Sequence, residues 1–197
     1  MSLKKRIYSI VCTGVLLTQS AVSFADFNPN KFYEIRPLGH EKVWDVSGGG
    51  SAKDGAQVIL WDRHDGDNQK FHFQQTEYGS WVIRPKTHMH APHTLSIAGE
   101  IEEIGVKLIL REQKLTGSPL RLTTKKYQEF TLTRVGGSLY RIQNLRSGLS
   151  LCFDKHGDLM QSLDYTADSI VELIESGYFI SKPDKRIGNY GWQFYRE

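Results

Sequence analysis

Residues 42–71 read KVWDVSGGGSAKDGAQVILWDRHDGDNQKF. Two short runs that are apolar or alternate apolar with polar residues, KVWDVS and QVILWD, flank a glycine-rich turn, and the segment closes on NQKF. Runs of this length, bounded by Gly, Asp, Asn and Ser, predict a β-hairpin followed by another strand. The segment decides the fold because its pattern recurs further along the chain.

The recurrence extends outward from this segment to both sides. An opening strand is predicted at YEIRP, WVIRP and YRIQN, which begin at Tyr33, Trp81 and Tyr140. A second strand is predicted at VWDV, TLSI and LCFD, and a third at GAQVILWD, GVKLILRE and DSIVELIE. Each unit closes on an aromatic residue, in NQKFHF, YQEFTL and GWQFYR.

The closing residues Phe71, Phe130 and Phe194 lie 59 and 64 residues apart, so the three units have similar lengths. A four-stranded unit of this size cannot bury its own apolar face. We therefore expect three units, at about 33–75, 81–135 and 140–197, to pack around a pseudo-threefold axis. The predicted fold is an all-β β-trefoil, and the closing phenylalanines are expected in its core.

The first 25 residues have the features of a secretory signal peptide. A basic start, Lys4-Lys5-Arg6, precedes an apolar stretch from Ile7 to Leu17, and Ser23-Phe24-Ala25 supplies small residues at a cleavage site. The apolar part is shorter than the roughly 18 residues of a membrane span, and no later segment comes close. We expect residues 26–197 to form one secreted domain, periplasmic or extracellular, that does not span a membrane.

Charge and cysteine content narrow the function classes further. The chain has 25 basic and 22 acidic residues, and the predicted leader holds three of the bases and none of the acids. The remainder is balanced at 22 of each, which gives no electrostatic reason to expect nucleic-acid binding. Cys12 lies in the leader, so Cys152 cannot close a disulfide within the predicted domain.

The closing motifs resemble those of the ricin B-chain-like lectins, in which each unit ends in Gln-x-Trp. Here the endings are Gln69-Lys70-Phe71, Gln128-Glu129-Phe130 and Trp192-Gln193-Phe194, with phenylalanine in place of tryptophan. The resemblance is strongest over residues 33–73. It implies a non-catalytic protein that binds glycans or glycoproteins, through a galactose-type or related cell-surface sugar.

The resemblance also implies roles for four residues of the first unit. A pyranose has a face of C–H groups and a rim of hydroxyls, so it needs an aromatic plate together with fixed acceptors and donors. Asp45 is expected to accept hydrogen bonds from two adjacent sugar hydroxyls, and Trp61 to stack under the ring. Asn68 is expected to donate to one of these hydroxyls, and Gln69 to hold Asp45 in place. Ile59 stands where the family often has a sugar-contacting glutamine, which leaves the sugar open.

The other two units depart from this site. In the second unit, Ser96 and Arg111 occupy the predicted carboxylate and platform positions, so that unit is expected to be silent. In the third unit, Asp154 is retained but Ile174 takes the platform position, which predicts at most a degenerate second site. Tyr165 or Tyr178 could supply a ring there.

Each candidate residue also has a purely structural interpretation. Trp61 can cap a barrel, and Asp45 can close a turn before the three glycines. The histidines of THMHAPH suggest a metal site but lie in a loop with no fourth ligand, so no metal or cofactor is expected. Asp65 and Asp67 are expected to form a turn, because the later ligands of a calcium loop are missing.

Three function classes remain open on the sequence. No nucleophile, paired acid and base, or metal cluster has a recognisable spacing, so an enzyme is not expected. The alternative to a stand-alone lectin is a non-catalytic delivery subunit of a multi-subunit toxin, bound to a second secreted chain. A protease-inhibitor trefoil is disfavoured by the Gln-x-aromatic endings.

Overall fold

The computed structural model describes residue 28 and residues 31–113, 115–116, 123–163, 167–178, 182–183 and 192–193. The predicted signal peptide, Tyr165 and Phe194 lie outside the described residues. The described part contains β-strands and single 3-10 turns, and no α-helix. In chain order the strands are β1 Lys31–Pro37, β2 Val43–Val46, β3 Val58–Trp61, β4 Phe71–Gln75, β5 Trp81–Pro85, β6 His93–Ile97, β7 Leu108–Glu112, β8 Leu115–Thr116, β9 Thr123–Thr124, β10 Phe130–Gly136, β11 Leu139–Asn144, β12 Ser150–Phe153, β13 Leu159–Ser162, β14 Ile170–Tyr178, β15 Lys182–Pro183 and β16 Trp192–Gln193.

Six of these strands form a closed barrel. Strand β1 pairs with β14 and β4, β4 pairs with β5, β5 with β10, β10 with β11, and β11 with β14, which completes the ring. All of these pairs are antiparallel. Closure gives every barrel strand two neighbours, so none of the six is left with an unpaired edge.

Three hairpins, β2–β3, β6–β7 and β12–β13, complete the units. Single bridges join them in a cycle: Gln57 to Ile109, Lys107 to Met160, and Asp158 to Ile59. The third strands of the units are β3, β7 and β13. Each bridge joins the residue just before one of these strands to the second residue of another. Because the same contact repeats three times, the hairpins are related by a pseudo-threefold axis. The predicted β-trefoil is confirmed.

Buried core residues also recur at matching positions of the three units. Ile35, Ile83 and Ile142 occupy matching positions in the opening strands and are at most 1% exposed. Phe71 and Phe130 are fully buried within the same cluster. The prediction that these closing phenylalanines are core residues is confirmed for the two that the structure describes.

The predicted strand order of the third unit was wrong. Its third strand is β13, LMQS, which pairs with β12, whereas DSIVELIE supplies most of β14 and closes the barrel against β1. A 3-10 turn, Ala167–Ser169, precedes β14 as similar turns precede β4 and β10. Ser169 and Val171 therefore stand where the earlier units have glutamine and phenylalanine. The prediction failed for two reasons. Strand β13 is short and has only two apolar residues, and the closing motif of this unit lacks both the glutamine and the phenylalanine that mark it in the other units.

Candidate functional site

The hairpin β2–β3 presents one face to the core and the other to the candidate site. Val43 pairs with Trp61, and Asp45 pairs with Ile59. Because side chains alternate along a strand, these four residues share a face. The opposite face, formed by Trp44, Val46, Val58 and Leu60, lies in the core. The alternation of VWDV and VILW thus places an acidic and an aromatic side chain together on the outer face.

The Asp45 carboxylate is only 4% exposed, and one of its oxygens holds the site together. Oδ2 accepts hydrogen bonds from Asn68 Nδ2 at 2.8 Å and from Gln69 Nε2 at 2.9 Å. Both donors lie on the 3-10 turn Asp67–Gln69, so the turn carries them over the hairpin. Oδ1 accepts no hydrogen bond from the described residues and is the oxygen left for a ligand.

The side-chain amides of Gln69 and Asn68 have different hydrogen-bond partners and therefore different roles. Gln69 also donates to the Asp62 carbonyl at 2.9 Å and accepts from the His64 N–H at 2.9 Å, so its amide is fully used. The second N–H of Asn68 reaches the Val46 carbonyl at 3.3 Å. Since the Asn68 Nδ2 group has only two N–H donors, it cannot also donate to a sugar, which differs from its predicted role. Its Oδ1 can accept from a hydroxyl instead.

His64 is a third contact on Asp45 that the sequence did not reveal. Its Nε2 lies 3.1 Å from Asp45 Oδ2, while its Nδ1 accepts from the Gly66 N–H at 3.2 Å. With Nδ1 as an acceptor, the ring proton lies on Nε2 and is donated to Asp45. The His64 side chain is 44% exposed, so it forms part of the rim of the site. The only sequence feature related to this contact is Gly66, two residues after His64, whose N–H bonds to the ring.

Trp61 is the aromatic plate of this face. It is 52% exposed, although most large apolar side chains of the hairpin are buried. In an antiparallel pair, diagonal neighbours such as Asp45 and Trp61 are about 7–8 Å apart. At that spacing, one small ligand could contact both the indole and the carboxylate.

Ion pairs fix the loop that follows Trp61. Lys70 Nζ lies 2.9 Å from Asp65 Oδ1, and Lys86 Nζ lies 3.0 Å from Asp67 Oδ1. The hydrogen bond from Lys70 lowers the pKa of the Asp65 carboxyl below its ordinary value. Asp65 has a φ of 59°, as expected of an acidic residue in a tight turn. The predicted turn ahead of Phe71 is confirmed at Asp67–Gln69, and Asp65 lies two residues before it.

Gly66→Ala is expected to weaken ligand binding about threefold to tenfold and to destabilise the protein by about 1–2 kcal/mol. A Cβ at this position would lie 2.5 Å from His64 Cε1 and 2.7 Å from Asn68 Oδ1, so both side chains must move. Gly50→Ala is the matched control, because a Cβ there has no neighbour within 4 Å. Calorimetric titration and thermal unfolding measure the two effects. Unchanged binding by Gly66→Ala would show that these side chains are not needed.

The second unit has a cleft with a different composition. It encloses about 200 Å³ and is lined in part by Ser96, Arg111 and Gln128, which match Asp45, Trp61 and Gln69. Arg111 is engaged, since it donates to Asp54 at 2.8 Å. The two matching positions hold neither a carboxylate nor an indole, as the sequence indicated.

The strand register of the third unit corrects the assignment of Asp154. Cys152 pairs with Met160 as Asp45 pairs with Ile59, so Cys152 holds the carboxylate position and Ser162 the platform position. Asp154 instead accepts from the backbone N–H groups of His156 and Asp158, at 2.8 and 3.0 Å, in a turn.

The environment of Asp154 fits this turn role. Desolvation raises the pKa of its carboxyl, but the two N–H donors outweigh that effect and lower the pKa overall. Ile174, the predicted platform, lies in β14 of the barrel. The third unit therefore holds no copy of the first-unit site at Asp154.

The histidines of THMHAPH make contacts other than metal ligation. His88 Nε2 lies 3.0 Å from the Ala52 carbonyl and its Nδ1 lies 2.9 Å from Thr87 Oγ1. The His93 ring packs edge-on against the His88 ring, with centroids 5.4 Å apart. Within the described ranges, no group of three His, Cys, Asp or Glu residues could hold a metal ion.

Residues 23–102 match the family described as a ricin-type beta-trefoil lectin domain-like domain. The resemblance to the ricin B-like lectins is confirmed. The ricin B-like match includes the whole first unit and the β2–β3 hairpin that carries Asp45 and Trp61. A search of curated proteins gives no match.

Solved structures similar to this chain include a designed protein, a lectin and an enzyme. The designed threefold-symmetric protein ThreeFoil aligns with a TM-score of 0.60 at 19% identity, covering 73% of this chain and 97% of that one. The Macrolepiota procera ricin B-like lectin in complex with lactose aligns with a TM-score of 0.57 at 16% identity, covering 75% and 97%. An exo-beta-1,3-galactanase from Clostridium thermocellum gives 0.61 at 19%, covering 76% of this chain and 31% of the enzyme. At these identities the alignments show the fold.

Among the residues that the structure describes, no helix has the length and hydrophobicity needed to cross a bilayer.

Proposed function

We propose that this protein is a secreted carbohydrate-binding protein that recognises a terminal galactose-type sugar through its first unit, without catalysing a reaction. The observation that carries the proposal is the pairing of Asp45 Oδ1, which accepts no hydrogen bond from the described residues, with the exposed Trp61 indole on one hairpin face. An apolar plate beside a charged acceptor matches the two chemical faces of a pyranose.

Each residue of the site has its own role in binding. The sugar ring stacks on Trp61, and its hydroxyls donate to Asp45 Oδ1 and to Asn68 Oδ1. Gln69 and the Asn68 N–H groups fix the carboxylate before the ligand arrives, which reduces the ordering cost of binding. His64 donates to the other carboxylate oxygen and bounds the site on its exposed side.

The choice of a galactose-type sugar has support from the comparison with solved lectins. The Macrolepiota procera lectin was solved with lactose, a disaccharide with terminal galactose, on the same fold. A single shallow site of this kind is expected to bind in roughly the micromolar to millimolar range. Biological avidity would then need several copies on a multivalent surface.

Secretion is part of the proposal and rests on residues 1–25, with their basic start, apolar stretch and small residues before the cleavage position. The ligands are then glycans or glycoproteins outside the cytoplasm. A second secreted chain is the partner in the alternative, toxin-subunit interpretation.

Trp61→Ala is expected to weaken binding to immobilised terminal-galactose glycans by at least about 30-fold, because truncating a central tryptophan typically costs about 2 kcal/mol or more. The measurement is a glycan array with multimerised protein, followed by titration with lactose. Circular dichroism of the variant checks the fold.

Tyr78→Ala is the matched control for the loss of an exposed aromatic ring. Tyr78 is 67% exposed and lies between β4 and β5, outside the candidate site. This variant should bind as the wild type does. If the wild type binds no glycan in multimeric form, the lectin proposal fails and the search moves to a protein partner.

A further inference from the structure

Glu34 is a fully buried carboxylate in the first barrel strand. It lies in β1 between Tyr33 and Ile35, whose side chains are in the core, so its own side chain leaves the other face of the strand. It is 0% exposed. Burying a carboxylate is costly unless a cation and further donors compensate it. The described residues give Glu34 Oε1 no hydrogen-bond partner, so the compensation depends on one contact at Oε2.

That contact is Arg63, which donates from Nε to Glu34 Oε2 at 2.8 Å. The Arg63 side chain is 60% exposed, so the pair joins a buried acid to a guanidinium at the surface. Arg63 makes no other hydrogen bond or ion pair with the described residues. Its two terminal NH₂ groups therefore remain available for a ligand, while Nε anchors the side chain.

The residue that carries the anchored guanidinium is a close neighbour of the candidate site along the chain. Arg63 directly precedes His64, whose ring contacts Asp45, and follows Trp61 by two residues. Successive Cα atoms are about 3.8 Å apart, so the Arg63 Cα lies within about 8 Å of the Cα atoms of Trp61 and His64. The long Arg side chain can reach a substituent on a sugar stacked upon Trp61.

The nearby lysines are in a different situation. Lys42 Nζ lies 3.8 Å from the exposed Asp62, and Lys70 Nζ lies 2.9 Å from the exposed Asp65. An anionic ligand would meet these surface acids as well as the lysines. Arg63 also interacts at longer range with the exposed Asp65. The acid that it contacts directly is buried, however, which leaves the guanidinium as the outermost group of that pair.

We propose that Arg63 recognises an anionic substituent, a carboxylate or a sulfate, on the sugar held by Asp45 and Trp61. This inference rests on the proposed function and names its ligand class. Two parallel N–H donors pair best with a planar or tetrahedral oxyanion, and such bonds are stronger than those to neutral hydroxyls. Because Glu34 offsets the long-range field of Arg63, the preference comes from direct contact and the ligand must place its anion at the guanidinium.

The test compares three probes, lactose, sialyllactose and sulfated lactose, by calorimetric titration. The wild type is expected to bind at least one acidic probe about tenfold more tightly than lactose. Arg63→Gln should remove that preference and leave lactose affinity within about twofold. Arg63→Lys keeps a positive charge for Glu34 but loses the paired donors, so it should lose most of the preference. The two acidic probes distinguish a carboxylate from a sulfate.

Arg134→Gln is the matched control, because Arg134 lies on the β10–β11 hairpin and donates to the Gly137 carbonyl. It makes the same chemical change outside the first unit and should keep the preference. Retained lactose binding also shows that an Arg63 variant is folded. Equal affinity of the wild type for neutral and acidic probes, or a preference that survives Arg63→Gln, overturns this inference while the lectin proposal stands. Failure of the wild type to bind any probe overturns both.

Discussion

Asp45→Asn is expected to reduce binding of terminal-galactose glycans by roughly ten- to hundredfold while the fold is retained. The carboxylate offers a charged acceptor to sugar hydroxyls, and charge-assisted hydrogen bonds are worth about 1.5–3 kcal/mol. Asparagine has almost the same shape but brings two N–H donors into a place already supplied with three donors. Asn68, Gln69 and His64 would then face either a weaker acceptor or a competing donor.

The measurement is titration with lactose, together with thermal unfolding to show that the hairpin is intact. Asp154→Asn is the matched control, since Asp154 makes a turn in the third unit and is not expected to contact sugar. Full binding by a folded Asp45→Asn variant would remove Asp45 from the site. Reduced binding by Asp154→Asn would reopen the third unit as a ligand site.

Phe71→Ala is expected to destabilise the protein by about 3–5 kcal/mol, the largest stability effect that we predict for a single substitution. Phe71 is fully buried and packs edge-on against Trp44, with ring centroids 6.3 Å apart. Removing the ring leaves a cavity between the barrel strand β4 and the β2–β3 hairpin. For a domain of this size the loss corresponds to a fall in Tm of roughly 6–20 °C.

Thermal unfolding followed by circular dichroism measures this change. Phe71→Leu, which conserves most of the volume, is the comparison and should cost less than about 1.5 kcal/mol. Because Phe71 closes the unit that carries the candidate site, ligand binding by this variant must be measured well below its Tm. A change below about 1 kcal/mol for Phe71→Ala would mean that the core does not depend on this ring.

The three-unit architecture could be predicted from the sequence because its signal is local and repeated. Strand β1 and strand β5 carry matching motifs, and Phe71 and Phe130 mark the start of the closing strands of the first two units. The third unit broke the pattern. Val171 and Ser169 replace the marker residues, and the polar LMQS of β13 looks less like a strand than the apolar β14. Only strand pairing, which joins residues distant in sequence, shows that β14 closes the barrel against β1.

The sequence predicted those residues of the candidate site that lie on consecutive elements of the chain. Asp45, Trp61, Asn68 and Gln69 come from one hairpin and the turn after it, so a linear motif contains all four. The structure brings Asn68 and Gln69 to within 2.9 Å of the Asp45 carboxylate. Their donor assignments were not readable from the motif, since both amide hydrogens of Asn68 are used by Asp45 and Val46.

By itself, the sequence determined the all-β class, the three units and the residues that make the first unit different from the other two. These follow from alternation along strands and from side-chain chemistry, which are properties of neighbouring residues. The tertiary structure alone decided the rest. It set the register that replaces Asp154 with Cys152 in the third unit, placed His64 on Asp45, and joined Arg63 to Glu34 across 29 positions. Such contacts depend on how strands pair and how deeply each side chain is buried, and no spacing along the chain encodes either.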